Sequence, residues 1–244
     1  MFSPFDRGML STDQLKQIRA VLFDLDGTLL HTSPDLAAAA TAALTECGLP
    51  TIDAKLVENF VGKGIDVLLQ RCLAHLGRPD TGPEYERLRL AYFRHYEFLN
   101  GEYAKPYPNV FKGLDTLRAL GLKLGVCTNK TARFTKPLLD RTGLSEYFSV
   151  TVSGDTVANK KPHPAPILWA CDALGVKPNE VLMVGDSAND AGSARAAGSA
   201  VLIVPYGYNE GEPVQNIDSD GIVNDLAEVA EMFLSIRGVR PQGS

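Results

Sequence analysis

The stretch VLFDLDGTLLHT, residues 21–32, decides the fold because it joins an apolar strand to two acids. Apolar residues run directly into Asp24, a single leucine follows, and Asp26 and Gly27 come next. Side chains two positions apart on a strand point the same way, so both acids can face one crevice while Leu25 turns into the core. Acids at the end of a buried strand are costly, which indicates a site that uses them.

Four further apolar runs extend this strand into a sheet. Together with residues 20–25, the predicted strands are 122–128, 148–154, 180–186 and 200–205. The helical patterns between and after them cover residues 109–120, 131–142, 165–174, 188–197 and 224–234. Strands that alternate with helices of this length are typical of α/β proteins. We therefore predict an α/β fold with a doubly wound, mostly parallel sheet.

The segment from residue 33 to residue 105 breaks this alternation, because nothing in it reads as a strand. Its helical patterns cover residues 33–47, 53–60, 65–76 and 83–99. The sheet pattern resumes only afterwards, which indicates helices inserted after the first strand. The predicted organisation is a core formed by residues 1–32 and 106–244, with an α-helical cap formed by residues 33–105.

Composition narrows the classes of partner. The chain has 244 residues, with 24 Lys and Arg against 29 Asp and Glu, a net charge of −5. This balance, without a basic cluster, argues against nucleic acid or an anionic membrane as partner. No apolar run is long enough to cross a bilayer, no secretory signal is recognisable, and the four cysteines show no metal or redox spacing. We expect a cytoplasmic globular protein with free thiols, a monomer by default, although a dimer is compatible with the sequence.

Polar side chains collect where the predicted strands end. Thr128 and Asn129 stand at the end of one strand, Asp186 ends another, and Asp190 lies one helical turn later. In open α/β sheets, ligands bind outside the carboxyl ends of the strands, so these residues should converge with the two acids of the first strand. Several carboxylates in one crevice repel one another unless a cation joins them. Oxygen ligands without nearby Cys or His favour Mg²⁺.

The stretch NKKPHPAP, residues 159–166, supplies a basic residue for an anionic ligand. Lys161 directly precedes the first of three prolines, so its side chain leaves a stiff backbone. Lys160 is the competing lysine at this position. A positioned ammonium beside a carboxylate and a metal ion suits a phosphoryl group. The expected ligand is therefore a small anionic phosphorylated metabolite.

The fragments DLDGT, CTN, KKPHP and GDSAND occur in this order, with a helical insertion after the first. Together they resemble the four motifs of the haloacid dehalogenase superfamily of phosphotransferases. The resemblance covers nearly the whole chain from the first strand onward, and it implies a core with a helical cap. Within that superfamily, the stretches LLHTSPDL, VGKGIDVLLQRCL and PYGYNEGEP are similar to those of bacterial phosphoglycolate phosphatases.

The resemblance implies different roles for the two acids of DLDGT. Asp24 would be the nucleophile that forms an aspartyl-phosphate. Asp26 would protonate the leaving alkoxide and then activate the water that hydrolyses the intermediate. Mg²⁺ would be held by the Asp24 carboxylate, the Asp26 backbone carbonyl and Asp186.

The other matched positions would bind the phosphoryl group. Gly27 would allow close approach of the backbone to the ligand. Thr128, the Asn129 backbone N–H and Lys161 would contact the phosphoryl oxygens. Asp190 would orient Lys161 or a metal-bound water.

Two features bear on the substrate, one in the predicted cap and one just before it. VGKG, residues 61–64, is either a simple turn between helices or a loop that closes over the substrate. In the second case Gly62 and Lys63 would meet a substrate carboxylate. The pair His31-Thr32 stands where close family members have an acid followed by serine. It changes a contact at the hinge or mouth of the site and leaves the central chemistry intact.

The predicted function is Mg²⁺-dependent hydrolysis of a phosphomonoester, with 2-phosphoglycolate as first choice. The alternatives are a sugar phosphomutase of the β-phosphoglucomutase type, or a broad phosphatase directed to pyrophosphate or nucleotides. A dehalogenase is disfavoured because that branch lacks an acid equivalent to Asp26 and needs no metal. A non-catalytic binding module is disfavoured because every expected catalytic position is filled.

Overall fold

The computed structural model describes residues 10–62, 64–209 and 213–237. The chain folds into two compact units. The first, here called the sheet unit, comprises the described residues up to Leu30 and from Pro106 onward. The second, the helical unit, comprises the described residues from His31 to Lys105.

The described residues form the following strands and helices. The strands are β1 (Ala20–Phe23), β2 (Leu30–His31), β3 (Lys105–Pro106), β4 (Lys123–Cys127), β5 (Val150–Val152), β6 (Val181–Gly185) and β7 (Ala200–Ile203). The helices are α1 (Thr12–Gln17), α2 (Ser33–Glu46), α3 (Ala54–Glu58), α4 (Ile65–His75), α5 (Pro83–Leu99), α6 (Val110–Ala119), α7 (Ala132–Arg141), α8 (Ala165–Leu174), α9 (Ala188–Ala197) and α10 (Leu226–Ile236).

The core of the sheet unit is a five-stranded parallel sheet in the order β5-β4-β1-β6-β7. All four residues of β1 are completely buried, which explains why the strand reads as an unbroken apolar run. In the register of the central strands, Phe23 lies beside Val126 of β4 and Val184 of β6. Helices α8 and α9 pack against the sheet, and α6 packs against α10. The predicted fold class and all five predicted core strands are confirmed.

The strand order determines where a ligand can bind. From β1 the sheet continues to β4 and β5 on one side and to β6 and β7 on the other. The order therefore reverses at β1, and the carboxyl ends of β4, β1 and β6 lie next to one another. Such a switch point is where open α/β sheets place their ligand crevices.

The helical unit contains α2 to α5, which match the four helices predicted for this segment. Within it, α2 packs against α3 and α5, and α4 packs against α5. The buried carboxylate of Asp35 in α2 accepts backbone N–H groups from Gly101, Tyr103 and Ala104, at 2.7, 2.6 and 3.1 Å. A carboxylate with three donors holds the segment that leaves α5 in one conformation.

Three short elements depart from the sequence prediction. Helix α1 was not expected, and its N-terminus is capped by Ser11, whose hydroxyl accepts the Gln14 backbone N–H. The pairing strands β2 and β3 are also additional, and Lys105 of β3 lies inside the segment predicted to be free of strands. Elements of two residues leave no periodicity that could reveal them in the sequence.

Two expectations about the whole chain can be compared with the structure. All four cysteines are free thiols, as predicted. Among the described residues, no helix is both long enough and apolar enough to cross a membrane.

Candidate active site

The ends of the three central strands bring their polar residues together. Asp24 follows β1 directly, and its backbone N–H still bonds to Val184 of β6 at 3.0 Å. Thr128 follows β4 and is similarly held by a 2.9 Å bond from its N–H to the Val152 carbonyl. Asp186 follows β6. The sheet ladder therefore continues one residue past the strands and fixes the backbone from which these side chains emerge.

Lys161 is the ammonium of this site. Its Nζ donates to Asp190 Oδ1 at 2.6 Å and to the Cys127 carbonyl at 2.7 Å. It also lies 2.9 Å from Asp24 Oδ1. Only 2% of its side chain is exposed, whereas Lys160 is exposed to solvent. The structure thus selects Lys161 from the two candidate lysines.

Asn129 is placed against Lys161 in a way that the sequence did not suggest. Its side-chain Nδ2 donates to the Lys161 carbonyl at 2.9 Å, and its Oδ1 accepts the Lys161 backbone N–H at 2.9 Å. This reciprocal pair joins the end of β4 to the loop that carries the lysine. The side chain of Asn129 therefore positions Lys161, while the predicted phosphoryl contact of its backbone N–H stays a prediction.

Asp190 is a support for Lys161. One carboxylate oxygen bonds to the ammonium. The other accepts the backbone N–H groups of Asp186 and Ser187, at 3.2 and 3.1 Å, and the Ser187 hydroxyl at 2.7 Å. Both oxygens are thus engaged with protein donors. This geometry favours the predicted orienting role over direct metal binding.

Asp186 sits in a cradle of backbone and small residues. Its Oδ1 accepts the Thr28 hydroxyl at 3.2 Å, and its Oδ2 accepts the Tyr208 backbone N–H at 2.6 Å. A Cβ at Gly27 would lie 2.3 Å from Oδ2, and one at Gly207 would lie 2.2 Å from it. Gly27 also has a positive φ of 90°. Glycine at both positions is therefore needed to let the backbone close around the carboxylate.

The cluster of Asp24, Asp186, Asp190 and Lys161 contains more acidic groups than basic ones. Burial raises the pKa of Asp24 to about 6, although the Lys161 ammonium beside it acts to lower it. Burial and the nearby carboxylate of Asp190 raise the pKa of Asp186 well above its usual range. Burial by itself would lower the pKa of Lys161, but Asp190 and Asp24 raise it, so the ammonium stays charged. One buried ammonium faces three carboxylates.

This excess of negative charge fits a bound cation. Oxygens of Asp24, Asp186 and Asp190 lie within 4.8 Å of one another. Among the described residues, no donor makes a hydrogen bond of suitable geometry to the buried Oδ1 of Asp24. Because both oxygens of Asp190 already accept protein donors, Asp24 and Asp186 are the carboxylates better placed to offer oxygens to a hard divalent ion.

Asp26 has a partner that sequence reasoning missed. Lys130 Nζ lies 3.1 and 3.2 Å from the two carboxylate oxygens of Asp26. The lysine side chain is 7% exposed and the aspartate side chain 23% exposed. The signal in the sequence is the position of Lys130, which comes directly after Thr128 and Asn129 at a strand end.

Tyrosines support the loop that carries the DLDGT motif. The Tyr206 hydroxyl donates to the Thr28 carbonyl at 3.0 Å, and its ring lies against that of Tyr107, with centroids 4.2 Å apart. Burial raises the pKa of Tyr206, which keeps its hydroxyl protonated and able to donate. Tyr206 belongs to the stretch PYGY, whose role the sequence alone did not reveal.

The residues predicted in the helical unit are described only in part. Gly62 lies in a bend between α3 and α4, with a φ of 138°, and Lys63 lies outside the described residues. His31 Nδ1 is 3.5 Å from the hydroxyl of Ser33, which donates to Glu58 at 3.3 Å. The proposed contact of Gly62 and Lys63 with a substrate stays a prediction.

Comparison with known proteins identifies the class of this protein. The sequence model of the family described as haloacid dehalogenase-like hydrolase matches residues 21–204. The chain therefore belongs to the haloacid dehalogenase-like hydrolases, which confirms the resemblance seen in its motifs.

Individual proteins similar to this chain share a more specific description. The phosphoglycolate phosphatase of Thiobacillus denitrificans is 44% identical over 218 residues, covering 88% of this chain and 95% of the relative. That of Nitrosospira multiformis is 46% identical over 219 residues, covering 88% and 96%. A crystal structure described as that of a predicted phosphoglycolate phosphatase from Haemophilus somnus matches with a TM-score of 0.82 at 35% identity, covering 88% of this chain and 98% of that one.

Proposed function

We propose that this protein is a Mg²⁺-dependent phosphatase that hydrolyses 2-phosphoglycolate to glycolate and phosphate. The observation that carries the proposal is the cluster of Asp24, Asp186, Asp190 and Lys161 at the ends of neighbouring strands. It combines an oxygen nucleophile, a cation site and a fixed ammonium, which phosphoryl transfer requires. The activity of the relatives from Thiobacillus denitrificans and Nitrosospira multiformis supports the choice of substrate.

The first half of the reaction transfers the phosphoryl group to Asp24. A carboxylate oxygen of Asp24 attacks phosphorus, and the bond between phosphorus and the ester oxygen breaks. Asp26 gives its proton to that oxygen, so glycolate leaves as an alcohol. Lys161, 2.9 Å from Asp24, would balance charge on the phosphoryl oxygens.

The second half hydrolyses the aspartyl-phosphate. Asp26, now ionised, accepts a proton from water as the water attacks phosphorus, and the bond to Asp24 breaks to release phosphate. The enzyme returns to its starting state with Asp26 protonated. Thr128 can donate its hydroxyl hydrogen to a phosphoryl oxygen, because the same hydroxyl accepts the Lys130 backbone N–H.

Asp24 and Asp186 would hold the Mg²⁺ ion, together with the predicted contact from the Asp26 carbonyl. The ion would supply positive charge for the phosphoryl oxygens and draw the substrate toward Asp24. The imbalance of buried charge supports this assignment, because a divalent cation offsets the carboxylates that Lys161 alone does not.

The helical unit is proposed to act as the cap of this enzyme. Phosphoryl transfer to Asp24 needs water to be excluded, and the later hydrolysis needs it to be admitted. Gly62 and Lys63 would then meet the carboxylate of 2-phosphoglycolate. Action in the cytoplasm and as a monomer stays a prediction from the sequence.

The proposal is tested by a phosphate-release panel with and without Mg²⁺. The substrates are 2-phosphoglycolate, β-glucose 1-phosphate, pyrophosphate and a nucleoside monophosphate. We expect release only with Mg²⁺, with the highest kcat/KM for 2-phosphoglycolate. Isomerisation of β-glucose 1-phosphate without release of phosphate would instead identify a mutase, and a higher kcat/KM for pyrophosphate or the nucleotide would overturn the substrate.

A further inference from the structure

Lys130 is held by its backbone before its side chain is considered. Its N–H donates to the Thr128 hydroxyl at 3.2 Å. Its carbonyl accepts the Gly154 N–H at 2.8 Å and the Thr135 hydroxyl at 3.1 Å. The Lys130 backbone is thus bonded within its own segment and to Gly154, and it shares the Thr135 hydroxyl with the Thr131 carbonyl. These contacts leave the Cα of Lys130 little freedom, so the side chain starts from a fixed point.

The packing around the preceding residue is equally tight. A Cβ at Gly154 would lie 2.1 Å from the Asn129 carbonyl oxygen, so the two backbones touch only because residue 154 has no side chain. The same Asn129 holds Lys161 through two hydrogen bonds. The segment Thr128–Lys130 therefore positions two ammonium groups, one toward Asp24 and the other toward Asp26.

The Lys130 side chain is nearly buried and ends on Asp26. Its Nζ is almost equally distant from the two carboxylate oxygens, at 3.1 and 3.2 Å. A lysine buried to this degree is rarely left without a charge partner. The near-equal distances mean that one oxygen can exchange its contact with Lys130 for a contact with substrate while the other keeps the anchor.

We propose that Lys130 is a positioning residue of the reaction, acting through Asp26. This rests on the proposed function, in which Asp26 gives its proton to the ester oxygen as the bond from that oxygen to phosphorus breaks. Lys130 fixes the plane and position of the Asp26 carboxyl group so that this proton faces the leaving oxygen. It does not touch the phosphoryl group, which Lys161 serves.

The test compares leaving groups in the Lys130→Met variant, which keeps the length of the side chain and removes its charge. The alkoxide that leaves 2-phosphoglycolate needs a proton, whereas acetate from acetyl phosphate and nitrophenolate from p-nitrophenyl phosphate depart readily as anions. Because kcat/KM reports on the steps up to phosphoryl transfer, we expect it to fall about 10- to 100-fold for 2-phosphoglycolate, part of the effect of general acid catalysis. For the two activated substrates we expect a change of less than about 3-fold, since they bypass the acid.

Two further variants separate positioning from a structural role. Lys130→Arg keeps a cation of different shape, so it should recover only part of the lost activity and leave kcat/KM on 2-phosphoglycolate about 4- to 8-fold below the wild type. Lys136→Met on α7 is the matched control, because Lys136 is 81% exposed and pairs only with Asp140 in the next helical turn among the contacts that the structure describes. It should leave all three substrates unchanged. If Lys130→Met does not fold, the arginine variant alone must still show a larger loss on 2-phosphoglycolate than on the activated substrates.

An equal loss on all three substrates in Lys130→Met, or a rise in KM for 2-phosphoglycolate with kcat unchanged, would overturn the proposal. The second result would place Lys130 in direct contact with the substrate. If the wild-type protein releases no phosphate from 2-phosphoglycolate, the proposed function fails first. A wild-type protein that is active on all three substrates, with no selective loss in the variant, removes only the role of Lys130.

Discussion

The two lysine-carboxylate groups of the site differ in how far solvent reaches their carboxylates. The buried cluster consists of Asp24, Lys161, Asp186 and Asp190. Asp24 is the most exposed of these residues, with 13% of its side chain accessible to solvent, and the side chain of Asp190 is fully buried. In the open pair, Asp26 and Lys130 face each other and the aspartate is 23% exposed. Breaking a buried pair leaves an uncompensated charge. The Lys130 side chain is only 7% exposed, so the pair is called open because solvent reaches its carboxylate.

This difference matches the work that each group would do. A nucleophile and its supporting ammonium must keep one geometry through both half-reactions, and burial with several hydrogen bonds provides that. An acid that gives up a proton and later accepts one must change partners during each turnover. The 23% exposure of the Asp26 side chain gives the water access that such an exchange needs. The buried cluster should therefore be rigid and essential for activity.

Replacing Asp24 by asparagine should have the largest effect. The amide oxygen is too weak a nucleophile to attack phosphorus, so kcat on 2-phosphoglycolate should fall by roughly 10⁴-fold or more. The fold should persist, because asparagine has nearly the same shape as aspartate. Steady-state phosphate release and circular dichroism measure the two quantities. Mass spectrometry must exclude deamidation back to aspartate, and clear activity in a sample free of deamidation would remove Asp24 from the nucleophile's role.

Asp190→Asn should have the next largest effect. An amide cannot serve both sides of this residue, since its NH₂ group would face either the Lys161 ammonium or the backbone N–H groups that Oδ2 now accepts. We expect kcat to fall about 100- to 1000-fold and the melting temperature to fall by about 10 °C, as for a broken buried ion pair. The matched control is Asp140→Asn, an exposed partner of Lys136, which should change neither quantity. Equal behaviour of the two variants would contradict the difference in burial.

Much of the buried cluster could be predicted from the sequence because the end of a buried strand is recognisable where an apolar run stops at a polar residue. Asp24 and Asp186 both follow unbroken apolar runs, and an acid in that context has few structural explanations. The parallel order of the strands then brings the ends together, although the residues are far apart in the chain. Lys161 followed from the stiff proline-rich loop. Asp190 followed from its place one turn into α9, although its saturation by donors was visible only in the structure.

Gly27→Ala should disturb the site by pushing on Asp186. The new Cβ would lie 2.3 Å from Asp186 Oδ2 in a backbone conformation with positive φ. We expect kcat to fall about 10- to 100-fold through the displaced carboxylate, with a loss of stability of about 1–3 kcal/mol from strain. Gly121→Ala separates the two causes, because Gly121 has a φ of 77° and open space around its Cβ position. The Gly121→Ala variant should lose stability and keep activity. A similar loss of activity in both variants would contradict the claim that Gly27 is needed to place the Asp186 carboxylate.

Addition of Mg²⁺ should stabilise the protein in a pH-dependent way. An ion at about 100 times its Kd would raise the melting temperature by about 5–10 °C at pH 7.5. Without metal, burial raises the pKa of Asp24 to about 6, so at pH 5 this carboxyl is mostly protonated and the proton competes with the cation. The stabilisation by Mg²⁺ should therefore shrink as the pH falls through 6. Differential scanning fluorimetry checks this, and a shift independent of pH would place the ion away from Asp24.

The open pair and the helical unit were harder to predict, for a physical reason. A lysine after a strand is more often solvated than buried, and only tertiary packing shows that Lys130 ends on Asp26. The same holds for Asp35, whose three backbone donors come from residues 101–104, far along the chain. Helical periodicity predicts that a segment packs, but not which polar atoms meet. The helices of the inserted unit were therefore predictable, whereas its contacts with a substrate were not.

The smallest effect is expected at Lys160, which stands beside the lysine of the buried cluster in the sequence. The sequence favours Lys161 because it directly precedes Pro162, and it leaves Lys160 as the competing lysine of the same loop. Lys160→Met should change kcat and KM on 2-phosphoglycolate by less than about 2-fold, because an exposed surface charge contributes little. Steady-state kinetics beside Lys136→Met as a second exposed lysine gives the baseline. A 10-fold or larger loss of kcat/KM would mean that Lys160 supplies the ammonium of the site instead of Lys161. The functional difference between the buried cluster and the exposed residues around it would then be contradicted.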